Sequence, residues 1–524
     1  MIKLVEFLDR IHLSKRPPSS RRRTPQPAFE CLEDLRLLSS INIPVTVLPA
    51  PAAISSGSTT TVFGPTYVLY NASNFTYQTA QSVAITTQPS SLAPPVTTTS
   101  ITYNTIPLGY EPGSLPVTVL PAPASKTVGD TTITYGPTYT IYDSTSHTYQ
   151  TAQPITAFSQ KLGTQTQISY NTIPLGVPGG TYSTANVVPG LAPIVNGNTV
   201  TTYGPVFSLY DTTNHQFLTA QPITTSTPLT ATKTQIYDRV VPIGYEAGTI
   251  AVSVLPALGP ITSGNVITNY GPTFTVYDTT NQTFQTAQPV TTTSPWTGET
   301  NQITYNSIPL GASGHNLIPV SPLPGGPTNV NGTTVISSSP ILSLYDATTF
   351  TYQTAQAITT FTPDSGYTTK ITSSSVQLGY EAGGKPISVL AGQGSTTSGS
   401  TTTTFGPIYS IYDSTNNTYQ SAQVISTTSP SGSLGPPVTV AQTSYTSTQL
   451  GYTASVIPVT VLPPPSAQII GANLITYGPT YTIYDTATLT YQTAQPITTS
   501  TLPGSLAPPS TKTQVNYSTL AIGY

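Results

Sequence analysis

Six carboxylates recur at one position of this 524-residue chain, Asp143, Asp211, Asp278, Asp346, Asp413 and Asp485, and Asn71 holds the same position once. Each follows a tyrosine and precedes a run of short, mostly polar side chains. A side-chain oxygen placed there can accept from the backbone amides two and three residues on, which makes an Asx-type turn cap. Asn71 keeps that capacity and loses the charge. Calcium would need several oxygen ligands, usually more than one of them a carboxylate, and no second acid sits at a fixed offset. The recurring acid is therefore expected to be a structural turn cap, with no metal or cofactor implied.

Other chemistry is sparser. His12, His147, His215 and His315 share no spacing to a Ser, Asp or Glu, and an activated nucleophile needs a base within hydrogen-bond reach. No repeat carries the paired acids of a glycosidase. Cys31 is the one cysteine, so the chain can form neither an internal disulfide nor a thiolate metal site. The expectation is a protein that is not an enzyme. Tyr70, Tyr142, Tyr210, Tyr277, Tyr345, Tyr412 and Tyr484 are candidates of a different kind, since aromatic rings on an exposed sheet face can bind ligands such as sugars. The competing reading, which carries more weight, buries both faces of that strand against neighbours. Gln81 and its six counterparts are expected to satisfy backbone groups at a strand end.

The element that must position these groups is a β-hairpin, clearest at Gly136-Pro-Thr-Tyr-Thr-Ile-Tyr-Asp-Ser-Thr-Ser-His-Thr-Tyr-Gln-Thr-Ala-Gln-Pro-Ile155. Alternation with a period of two marks both arms, with Tyr139 and Ile141 opposing Thr138, Thr140 and Tyr142. The polar run Asp143-Ser-Thr-Ser-His147 between them encodes the turn. The opening recurs at Gly64, Gly136, Gly204, Gly271, Ser339, Gly406 and Gly478, each 17 residues before a Gln. One supersecondary unit has been duplicated seven times, so function must be sought in the array.

Around each hairpin the sequence predicts a leading apolar strand such as Pro116-Val-Thr-Val-Leu-Pro121, a second strand such as Thr131–Tyr135, and a last strand such as Gln167–Gly176. That makes five strands per repeat. The 52 prolines argue against long helices, and the Thr-, Ser-, Pro- and Tyr-rich composition gives an all-β class. Repeat boundaries are expected at 43–115, 116–182, 183–250, 251–317, 318–385, 386–456 and 457–524, after a basic segment 1–42. Repeats of about 67 to 72 residues exceed the 40 to 50 typical of a four-stranded propeller blade, so each is expected to be a small antiparallel β-sandwich-like module. The alternative is a seven-bladed β-propeller. The spacing from Tyr142-Asp143 to Tyr149 resembles the Tyr-Asp to Trp spacing of kelch blades, which implies that alternative; the kelch Gly-Gly pair is absent, and Tyr or Phe stands for Trp. Each repeat offers too few large apolar side chains to stand alone, so neighbours must lean on one another.

Eight of the 15 Lys and Arg lie in the first 40 residues, ahead of the repeats. The repeats therefore lack the clustered cations that phosphate backbones require, which argues against nucleic acid as a partner. No apolar run is long enough for a transmembrane helix. Residues 1–13 read as a short amphipathic helix, and Glu6 and Asp9 interrupt the apolar run a secretory signal needs. Further on, Leu32, Glu33, Leu37, Leu38 and Ser39 resemble the Leu-Glu-Pro-Arg-x-Leu-Leu-Ser segment of large extracellular proteins of planctomycete-type bacteria. Asp34 stands at the family's Pro, and Leu35 at its Arg. The resemblance covers about twelve residues and implies export or surface sorting. Taken together, the expectation is a non-enzymatic extracellular or cell-surface structural or adhesive protein, with surface glycans or other surface proteins as partners. The alternative is a glycan- or protein-binding, lectin-like propeller.

Overall fold

The computed structural model describes residues 42–522, apart from short stretches at 89–93, 110–112, 129, 160, 162, 178–179, 197–198, 228–229, 245–247, 264, 295, 297, 327–328, 332–333, 363–365, 380–383, 393, 399, 430–436, 452–454, 466–467, 471–472 and 502–509. The sorting residues Leu32, Glu33, Leu37, Leu38 and Ser39 lie outside the described residues. Every described regular element is a strand.

Each repeat makes one antiparallel sheet, not two packed against each other. In the second repeat an inner strand, Ser114–Leu120, pairs with Thr138–Asp143. That strand pairs with the first half of the third strand, Thr148–Ser159, whose second half pairs with Thr131–Tyr135. The outer strand Gly163–Pro174 runs along the far edge of the third for its whole length. A short strand, Lys126–Val128, closes a small hairpin onto Thr131–Tyr135. The sheet is thus four strands wide, with its second strand broken at Gly136-Pro137. In the first and sixth repeats that strand runs unbroken as Thr59–Asn71 and Thr401–Asp413, with only a register shift at the same place.

The break has a local cause. The Gly136 amide donates to the Pro154 carbonyl at 2.7 Å, and the Gln153 amide donates back to the Gly136 carbonyl at 3.2 Å. This brings the two chains so close that a Cβ on Gly136 would sit 3.1 Å from the Pro154 ring. Proline at 154 has no amide to offer the second strand, so the ladder is interrupted there. The fifth repeat solves the same problem differently. Ser339 replaces the glycine, Ala357 replaces the proline, and the Ser339 hydroxyl accepts from the freed Ala357 amide at 2.9 Å.

Successive sheets stack face to face around a ring. The inner strands of consecutive repeats adjoin in turn, and the inner strand of the seventh, Val456–Leu462, adjoins that of the first, Asn42–Leu48. One hydrophobic cluster joins Val47, Tyr67 and Leu69 of the first repeat to Tyr484, Tyr491 and Leu520 of the seventh. The molecule is therefore a seven-bladed β-propeller, and the sandwich modules expected from repeat length are corrected to single-sheet blades. The surplus length makes each blade taller instead of doubling it. The third and outer strands run 12 residues each in the second repeat, and the small hairpin extends the second strand to match them. Inner strands begin at Asn42, Ser114, Tyr182, Thr249, Leu317, Gly384 and Val456, one or two residues ahead of the expected repeat boundaries.

Candidate functional site

The tyrosines proposed from sequence as a ligand face are buried. Tyr70, Tyr210, Tyr277, Tyr345, Tyr412 and Tyr484 are at most 1% exposed and Tyr142 is 7% exposed. Their hydroxyls all point to the end of their own blade's outer edge. Tyr70 donates to the Leu108 carbonyl at 3.3 Å, Tyr210 to Ile243 at 3.2 Å and Tyr277 to Leu310 at 3.0 Å. The other four repeat the bond to Leu175, Leu378, Leu450 and Ile522. Burial pushes the phenols of Tyr70, Tyr142, Tyr210, Tyr345, Tyr412 and Tyr484 up to about 12, so they stay protonated donors. A ligand surface made of these rings is thus corrected to a blade-internal strut. Both faces of the strand are covered because a blade lies on either side.

Their partners across the hairpin are the residues that link one blade to the next. Tyr142 packs on Tyr149 with ring centroids 5.0 Å apart, and Tyr149 packs on Phe207 of the following blade at 5.1 Å. The Tyr149 hydroxyl then crosses the interface to the Ser208 carbonyl at 2.6 Å. Tyr77, Tyr352, Tyr419 and Tyr491 cross in the same way to Thr140, Ser410, Thr482 and Val68, at 2.6 to 2.7 Å. Phe217 and Phe284 fill the position at the other two interfaces and carry no hydroxyl. The period-two pattern reveals Tyr149 as buried but is silent about which repeat receives it, so sequence reasoning missed this bridging role.

The recurring acids sit at the hairpin turns. Asp143 accepts from the amides of Thr145 at 2.8 Å and Ser146 at 3.3 Å, and from the Ser146 hydroxyl at 2.6 Å. Asp211, Asp278, Asp346 and Asp413 accept from the equivalent two amides, and Asp485 from that of Ala487. Asn71 makes the same pair of bonds through its amide oxygen. Burial works against the charge on Asp143, Asp211, Asp346 and Asp485, but the summed hydrogen bonds win and hold these carboxyls below the usual range. Asp346 alone among the described residues also meets a histidine, with His315 Nδ1 2.6 Å from its Oδ2.

Each turn ends on a residue held in the left-handed region, a feature the sequence does not announce with glycine. Phe75, His147, His215, Gln282, Phe350, Asn417 and Leu489 have φ between 48° and 55°. The conformation costs a non-glycine residue on the order of 1–2 kcal/mol. It aims the carbonyl at the following outer strand, where His147 accepts from the Leu175 amide at 3.0 Å. The same bond recurs in all seven blades.

Gln81, Gln153, Gln221, Gln288, Gln356, Gln423 and Gln495 each donate to the carbonyl of the Gly or Ser at the strand break, at 2.8 to 3.3 Å. Two of them, Gln288 and Gln423, line clefts between blades. One cleft of about 250 Å³ lies between the fourth and fifth blades, and another of about 520 Å³ between the sixth and seventh. Among the described residues no three His, Cys, Asp or Glu come together in a metal-holding group.

No protein-family model matches the chain, and no curated protein matches its sequence. The chain resembles several solved structures, among them these two. The WD40 domain of SCAP from fission yeast is 10% identical, with a TM-score of 0.29, over 80% of this chain and 93% of that one. The parainfluenza virus 5 hemagglutinin-neuraminidase ectodomain is 10% identical, with a TM-score of 0.25, over 78% of this chain and 85% of that one. The propeller is established by the contacts that close the ring and not by these resemblances.

Proposed function

We propose that the protein is a non-enzymatic structural or adhesive component displayed outside the cell or on its surface, a closed ring that holds a broad neutral perimeter rigid. The observation that carries this reading is where the sevenfold groups are used. The Tyr142 series ties each blade to its own edge, most of the Tyr149 series crosses to the next blade, the Asp143 series caps turns and the Gln153 series bridges strand breaks. Among the described residues these repeated groups serve construction, which supports a structural role. Charged residues make up only 6% of the chain, which suits passive display better than electrostatic capture of a partner. The basic segment and the Leu32–Ser39 resemblance to an extracellular sorting motif support an address outside the cell.

Surface labelling of intact cells that make the protein tests this. Antibody or protease should reach it without permeabilisation. Signal only after permeabilisation would overturn the location, and turnover of a substrate lost on mutation of a single blade would overturn the non-enzymatic reading.

A further inference from the structure

We propose that the clefts between successive blades bind neutral, hydroxyl-rich chains, in chemical terms an unbranched oligosaccharide without acidic or basic groups. The two clefts are the same site repeated. Thr286, Gln288, Thr304 and Asn306 form one wall between the fourth and fifth blades, and Ser421, Gln423, Ser444 and Thr446 form it between the sixth and seventh. Strand register makes these positions equivalent, since Thr286 pairs with Asn306 and Gln288 with Thr304, as Ser421 pairs with Thr446 and Gln423 with Ser444. The opposite wall is the next blade's row of hydroxyls, Ser337 and Thr359 in one cleft and Thr476, Thr498 and Thr513 in the other. Thr498 and Thr513 lie 3.0 Å apart across the third and outer strands.

The chemistry of the lining selects the ligand class. Among the described residues neither cleft is lined by a single Asp, Glu, Lys, Arg or His, so these linings offer no counter-ion to a phosphate, a sulfate or a uronic acid. What both offer is hydroxyls and amides that donate and accept at once, the match for sugar hydroxyls, which also do both. Aromatic and proline faces complete the walls, with Tyr445, Tyr477 and Pro479 in the larger cleft and Tyr270 and Pro340 in the smaller. Such faces suit the apolar side of a pyranose ring. The larger cleft, at about 520 Å³, falls within the range of about 300–1,000 Å³ that ligand sites occupy, and the smaller, at about 250 Å³, lies just below it. The same wall positions are uncharged in the other blades except at the third, where Arg239 stands opposite Thr219.

Titration calorimetry on the full chain tests the assignment, using cellohexaose, xylohexaose and mannohexaose, with hexagalacturonate as the acidic control. At least one neutral hexasaccharide should bind at millimolar concentration or below, with more than one equivalent per chain, and hexagalacturonate should not. Thr498→Val removes a cleft hydroxyl while keeping the side chain's shape, and paired with Thr359→Val it should weaken binding by about 5-fold or more, the worth of roughly one hydrogen bond. The circular-dichroism melt of that variant checks that it is folded. Tyr477→Ala should weaken binding at the larger cleft. No heat from any of the three neutral sugars, equal binding of hexagalacturonate, or unchanged binding in the folded double variant would each overturn the inference. None of these outcomes bears on whether the protein is displayed at the surface.

Discussion

A single hydroxyl separates the interfaces of this ring into two kinds, and the natural sequence contains its own control. Where Tyr149 reaches the Ser208 carbonyl at 2.6 Å, Phe217 and Phe284 leave the equivalent contact to ring packing alone. Tyr149→Phe should therefore cost only about 1 kcal/mol, the net worth of a typical buried hydrogen bond. Tyr149→Ala should cost about 3–5 kcal/mol, because the ring that packs on Tyr142 and Phe207 is lost with it. Urea denaturation of the two variants against the parent measures both, and equal losses would mean that the hydroxyl carries the interface. The carboxylates give a second prediction at this scale. Asp143, Asp211, Asp346 and Asp485 are held below the usual carboxyl range, the hydrogen bonds from their turns outweighing the effect of burial. Their contribution is therefore complete above the unfolded value of about 4 and disappears as pH falls through the lower folded values. Melting temperature should be flat from pH 7 to 5 and drop in acid. Changing Asp143, Asp211 and Asp485 to Asn, as nature has done at Asn71, should flatten the acid limb while the turns persist. A melt as acid-sensitive as the parent's would show that these caps do not control it.

Among the elements, the strand break is where local sequence and blade geometry are most tightly coupled. Six blades place glycine there, and the fifth places Ser339, whose hydroxyl serves the Ala357 amide that the prolines at 154, 222, 289 and 496 do not possess. Ser339→Gly should leave that buried amide without its acceptor and cost about 1–3 kcal/mol, and Ala357→Pro should restore most of the loss by removing the amide. Stability measured around this double-mutant cycle decides the matter, since additive losses would mean that Ser339 and Ala357 act independently. Elements of this kind were largely legible beforehand. The hairpin, its turn at Asp143, the leading strand and the role of Gln153 all follow from local pattern, because each depends on residues close in sequence or paired across one turn. The strand at Lys126–Val128 is only three residues long and gives no period to read. The face of Tyr142 was ambiguous for a better reason: alternation separates two faces but does not say what covers them, and a sandwich and a stack of blades bury both. The cleft walls escaped notice because Gln423 and Thr498 belong to different repeats, and their meeting depends on how sheets stack.

At the level of the whole ring, repeat length pointed to the wrong architecture because it counts residues without saying whether they add a second sheet or lengthen the first. Closure itself has no local signature, since it arises from the accumulated rotation between sheets that carry nearly the same sequence. Among the described residues each blade is completed by strands of its own repeat, so no strand ladder joins the seventh and first blades, which meet through contacts such as Tyr491 donating to the Val68 carbonyl at 2.6 Å and packing on Tyr67 at 5.2 Å. That junction reproduces the internal ones, where Tyr149 does the same to Ser208 and Phe207. The ends of the ring also meet as consecutive blades do. Tyr484 bonds both the Ile522 carbonyl and the side chain of Asn42, and Tyr70 likewise bonds the Leu108 carbonyl beside Gly109, where an added Cβ would lie 3.4 Å from Ser114. Covalent order should then matter little to the ring, since the break lies at an interface that has the same tyrosine bridge as four of the internal ones. A circular permutant that starts at Ser114, runs to Ile522, crosses to Asn42 through a copy of residues 109–113 and ends at Gly113 should melt cooperatively within a few degrees of residues 42–524 and keep the same scattering radius. A broad melt or an expanded particle would show instead that the seventh-to-first junction is weaker than its contacts imply, and that the ring relies on the order in which its blades are strung.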